Sequence, residues 1–69
     1  MATGTVKWFN AEKGYGFIAP DEGGKDVFVH ITAVRAAGMD GLKDNQKIEF
    51  EIREGRDGRP MADDLRSLG

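Results

Sequence analysis

The sequence contains no cysteine. Disulfide staples and thiolate zinc sites are therefore excluded, and a reducing compartment is compatible with the composition. There is one histidine, too few for an imidazole metal cluster, and no serine beside it to form a nucleophile pair. No apolar run approaches the roughly 20 residues of a membrane helix. No signal-peptide pattern follows Met1, so the expected location is cytoplasmic. A positive charge excess is also missing: ten Lys and Arg against twelve Asp and Glu give a net charge of −2. A basic balance would argue for a polyanionic partner; this one limits the electrostatic share of any such binding. The ten glycines are scattered at turns and form no phosphate loop, because no Gly-Lys-Ser or Gly-Lys-Thr ending and no following helix exist.

What is present is alternation. The 69 residues make one expected domain, residues 1–69, with a small core and only ~3–5 kcal/mol to spare. In Gly14-Tyr15-Gly16-Phe17-Ile18, Tyr15 and Phe17 point one way while Gly16 and Ile18 point the other. In Asp26-Val27-Phe28-Val29-His30, Phe28 and His30 share one face and Val27 and Val29 the opposite one. Period 2 marks strands. The aliphatic face supplies a core, and so small a domain has no room for a second. Rings held in water on a rigid sheet form a stacking platform.

The rest of the chain follows in order. Thr3 to Asn10 reads as a first strand, with Val6 inward. Lys7, Trp8 and Phe9 are consecutive and need a bulge or twist to be accommodated. Asn10 to Gly14 is a turn, and Tyr15 to Ala19 the second strand, ending near Pro20. Asp21-Glu22-Gly23-Gly24 turns the chain into a third strand, Lys25 to Ile31, completing an antiparallel meander. Thr32 is expected to cap a helical turn over residues 33–36. Met39 and Leu42 lie in a long connection that folds back onto the barrel. Lys47 to Glu54 reads as a strand with Ile48, Phe50 and Ile52 inward and Glu49, Glu51 and Arg53 outward. Asp57-Gly58 signals a hairpin. The last strand lies within residues 59–68, with Ala62 and Leu65 inward. Five short strands, three then two, fit a small closed barrel, which hides its edges. An SH3-like barrel fits the same pattern.

Three blocks carry a family resemblance. Lys7-Trp8-Phe9-Asn10, Lys13-Gly14-Tyr15-Gly16-Phe17-Ile18 and Asp26-Val27-Phe28-Val29-His30 closely resemble the bacterial cold-shock proteins. The second and third blocks look like that family's two ribonucleoprotein-type motifs, and the likeness runs from Thr3 to Leu65. It implies an all-β, five-stranded antiparallel, OB-fold-like barrel. It also implies a monomer that binds single-stranded RNA and DNA without a cofactor or metal, as an RNA chaperone or transcription antiterminator. Carried over by position, the binding residues are Lys7, Trp8, Phe9, Lys13, Tyr15, Phe17, Phe28 and His30, and Asp26 resembles the acidic residue that accepts from a base edge. Ile31, Met39 and Asp64 depart from the common pattern, where many or some members have phenylalanine, another aromatic and asparagine.

Each of these residues has a plainer reading. An isolated aromatic is usually core, but Val27, Val29 and Ile18 already occupy the other face. Phe9 is expected to be partly buried and marginal to a ligand. Lysines are ordinarily just solvated. His30 is a stacking ring or a capped strand-end histidine, and no arrangement around it supports an enzyme. The competing function is a protein-interaction module using the aromatic surface of the same barrel.

Overall fold

The computed structural model describes residues 2–55 and 58–68. Five strands form: β1 (Ala2–Asn10), β2 (Tyr15–Pro20), β3 (Val27–His30), β4 (Lys47–Glu54) and β5 (Pro60–Ser67). One short helix, α1 (Ile31–Ala36), lies between β3 and β4. They close in the order β1-β2-β3-β5-β4, the OB-fold-like arrangement, and not the SH3-like alternative. Among the described residues no helix is long and apolar enough to cross a membrane.

The expected all-antiparallel barrel needs one correction. β1–β2, β2–β3, β1–β4 and β4–β5 are antiparallel, but β3 and β5 pair parallel through Phe28 and Met61. A parallel pair requires a long crossover. The chain supplies it by leaving β3 through α1 and β4 before β5 returns to close the barrel.

Local chemistry sets the connections. The Asn10 side chain accepts from the backbone N–H groups of Glu12 and Lys13, and Gly14 completes the turn at φ +84°, an Asx-type geometry. Gly23 and Gly24 both take positive φ in the next turn. In the β4–β5 connection, Gly58 donates to the Gly55 carbonyl at 3.0 Å and has φ +80°. Arg56 and Asp57, half of the expected hairpin signal, lie outside the described residues.

The core draws on every element. Val6, Ile18, Val27, Val29, Val34, Leu42, Ile48, Phe50, Ala62 and Leu65 are buried, with Met39 and Phe9 packed against them. Ile52, expected inward, is 51% exposed. β1 covers β4 only from Lys47 to Phe50, so Ile52 stands beyond the covered stretch. The helix start also differs from expectation. β3 stays extended through His30 and α1 begins at once, so the His30 side chain, not that of Thr32, caps it.

Candidate nucleic-acid interface

The bulge expected at Lys7-Trp8-Phe9 is present. Val6 pairs with Ile18 and Trp8 with Phe17, with a register shift between them. The extra residue lets Val6 enter the core while Lys7 and Trp8 both stay exposed. Gly16 makes the close approach of β1 and β2 possible. A Cβ there would lie 2.3 Å from the Trp8 carbonyl oxygen and 2.7 Å from the Phe9 Cα, so any side chain would force the strands apart.

Cross-strand register then assembles the rings. Tyr15 pairs with His30 and Phe17 with Phe28. Trp8 meets Tyr15 and Phe17 with centroids 5.6 and 5.4 Å apart. Tyr15 stacks on Phe28 at 5.7 Å with planes 24° apart. Phe17 meets Phe28 edge-on at 5.8 Å, and Phe28 reaches His30 at 6.4 Å. Five rings from three strands thus form one connected surface. Their mutual contacts hold each ring in place, each pair adding about 0.5–1.5 kcal/mol beyond area burial. Trp8 is 40% exposed, and Tyr15, Phe17 and Phe28 are half-buried. One flank of each ring therefore packs and the other meets water.

Phe9 does not join this surface. It packs against the core and lines a separate shallow groove with Met39, Gly41, Leu42 and Lys43.

The charged residues flank the rings. Lys7 Nζ lies 3.0 Å from Asp26 Oδ2, so these two candidates face each other. Lys13 is exposed at the β1–β2 turn. His30 is exposed, and its Nδ1 is turned toward Thr32. Between β4 and β5, Arg53 bonds Asp63 at 2.8 Å and Asp64 at 3.1 Å. Those two hydrogen bonds, that of Asp64 foremost, raise the guanidinium above its already high pKa, so Arg53 is an ion-pair residue. Among the described residues no group of His, Asp and Glu is arranged to hold a metal ion.

Sequence reasoning missed part of one flank: beside Phe17 and Phe28, Arg59, Pro60 and Met61 join Lys25 and Asp26 in lining a groove. Met61 arrives there through the parallel β3–β5 pairing, which no local pattern announces. Arg59 lines the same groove.

With this geometry in view, comparison with known proteins is specific. A family model described as the 'Cold-shock' DNA-binding domain matches residues 2–68. "Probable cold shock protein y4cH" of Sinorhizobium fredii is 59% identical, covering 97% of this chain and 99% of that protein. "Probable cold shock protein A" of Mycobacterium tuberculosis is 57% identical over 99% of this chain and 100% of that protein. "Cold shock-like protein CspG" of Escherichia coli K12 is 57% identical over 87% and 86%. Membership of such a family implies nucleic-acid binding through the aromatic surface, and its members are binding modules rather than enzymes. The chain belongs to the cold-shock domain family.

Proposed function

We propose that this protein binds single-stranded RNA and DNA by stacking unpaired bases on Trp8, Tyr15, Phe17, Phe28 and His30. The observation that carries this reading is the connected ring surface, with neighbouring centroids 5.4 to 6.5 Å apart. An extended single strand can space successive bases similarly, and each stacked base contributes about 1–3 kcal/mol. In this reading Lys7 and Lys13 meet phosphates as mobile point charges. Asp26 accepts from a base edge, and Phe9, packed against the core, is marginal to the ligand.

Stacking explains how a protein of net charge −2 binds a polyanion. Affinity comes from base faces, which every nucleotide offers when unpaired and a duplex hides. The biological role that follows is an RNA chaperone that traps unpaired segments without ATP. Transcription antitermination would use the same chemistry on nascent RNA. The protein acts in the cytoplasm, as a monomer, with no cofactor.

The test is a titration of Trp8 fluorescence with short single-stranded DNA, single-stranded RNA and matched duplex. Quenching by both single strands, at lower concentrations than by duplex, is the expected result. Equal or tighter duplex binding overturns the platform reading.

A further inference from the structure

His30 is the only histidine of the chain, and it stands where β3 turns into α1. Its Nδ1 lies 3.2 Å from the backbone nitrogen of Thr32 and 3.0 Å from Thr32 Oγ1. A backbone N–H can only donate. Nδ1 must therefore offer its lone pair, and the proton of the neutral ring resides on Nε2. The backbone of His30, at φ −98° and ψ 150°, is that of an N-cap residue, and the bond satisfies one of the helix's orphan donors. Moving the proton to Nδ1 would set two donors face to face and leave the Thr32 N–H without its acceptor. Nε2, across the ring, has no hydrogen-bond partner among the described residues.

We propose that the α1 cap locks His30 into its Nε2–H tautomer and makes it a specificity-determining residue: a fixed hydrogen-bond donor at the end of the ring surface that takes an oxygen acceptor of the bound strand. The inference deepens the stacking reading above and rests on it. A histidine free to exchange tautomers answers donors and acceptors alike. A locked one rejects an amino group at the same point, where N–H would meet N–H, and accepts a base carbonyl or a phosphodiester oxygen. The lock and the ligand also support each other. Donation from Nε2 increases electron density on the ring and strengthens Nδ1 as the acceptor of the cap.

Two measurements test this. The first is a long-range proton–nitrogen correlation spectrum of the labelled free protein, which contains a single imidazole. An unprotonated Nδ1 and a protonated Nε2 are expected; the reverse or a mixture overturns the lock. The second compares wild type with His30→Phe, which keeps a ring for stacking and removes the donor along with the α1 cap, its fold checked by urea unfolding. Oligothymidylate should bind the variant about 3- to 10-fold more weakly; equal affinity overturns the donor role. Repeating that comparison with an oligomer of 2,4-difluorotoluene, a thymine isostere without carbonyl oxygens, identifies the acceptor. A difference that disappears assigns it to a base carbonyl, one that persists to a phosphodiester oxygen, and either supports the proposal. A wild type that binds no single strand defeats the stacking reading and the donor role together. That failure is separable, because the tautomer spectrum needs no ligand.

Discussion

Lys7 and Asp26 form an ion pair across the edge of the ring surface, Nζ to Oδ2 at 3.0 Å, joining the β1 bulge to the entry of β3. Each is also a candidate ligand contact, so the free protein spends on itself the two charges that a bound strand would use. For Lys7 to reach a phosphate it must leave Asp26. The two residues should therefore be coupled in binding. Lys7→Gln should cost more affinity in an Asp26→Asn background than in wild type, by about 0.2–1 kcal/mol, the usual worth of an exposed pair. A double-mutant cycle read by fluorescence anisotropy measures this; strict additivity would show that the pair survives in the complex.

The rings and the core should separate cleanly under truncation. Phe17→Ala and Phe28→Ala remove stacking surface and should each cost ~1–3 kcal/mol of binding. Phe50 is completely buried, and Phe50→Ala should cost ~3–5 kcal/mol of stability, enough to threaten a domain this small. Urea unfolding and oligonucleotide affinity measured on the same three variants decide it. Unfolding of the Phe17 or Phe28 variant would assign those rings a structural role.

Gly16→Ala tests the strand approach beneath Trp8. The new Cβ meets backbone rather than a flexible side-chain end, so relief requires moving β1 against β2. A loss of about 1–3 kcal/mol is expected, together with weaker binding by the folded fraction, because Trp8 moves with its carbonyl. A neutral result in thermal unfolding would show that the strands part easily.

Salt dependence should be shallow. Two or three phosphate contacts on a single strand give a log–log slope of roughly −1.4 to −2.1. A slope steeper than about −5 would require more neutralised phosphates than Lys7, Lys13 and their neighbours provide.

Asp64→Asn should leave binding unchanged and stability within about 0.5 kcal/mol. Asp64 sits at φ +49°, a region asparagine tolerates well. Arg53 keeps its 2.8 Å bond to Asp63. Asp64 is absent from the groove beside Phe17 and Phe28. Tighter oligonucleotide binding by the variant would bring residue 64 into the interface.

The ring face was legible because β2 and β3 alternate strictly, and alternation is a local property. Trp8 was legible only through a conflict: three consecutive large side chains demanded a bulge, and the bulge is there. The inward set of β4 was read correctly for Ile48 and Phe50 and wrongly for Ile52. Periodicity gives the face of a residue, but whether that face is covered depends on how far β1 extends. Met61 escaped notice because its neighbour Phe28 is remote in sequence and the pairing is parallel. Thr32 is the better cap by residue preference, yet the strand runs straight into the helix and leaves His30 in the capping position.

The strand order carries a consequence for how the chain is made. All five platform rings lie on β1, β2 and β3, which leave the ribosome first. The core residues Ile48, Phe50, Ala62 and Leu65, which pack with the aliphatic side of that meander, come from β4 and β5, and β5 pairs with both β3 and β4. Until β5 emerges, the meander bears rings on one side and bare Val6, Ile18, Val27 and Val29 on the other. Burial of that aliphatic side is thus delayed to the end of barrel synthesis, and the nascent meander is the species most exposed to aggregation.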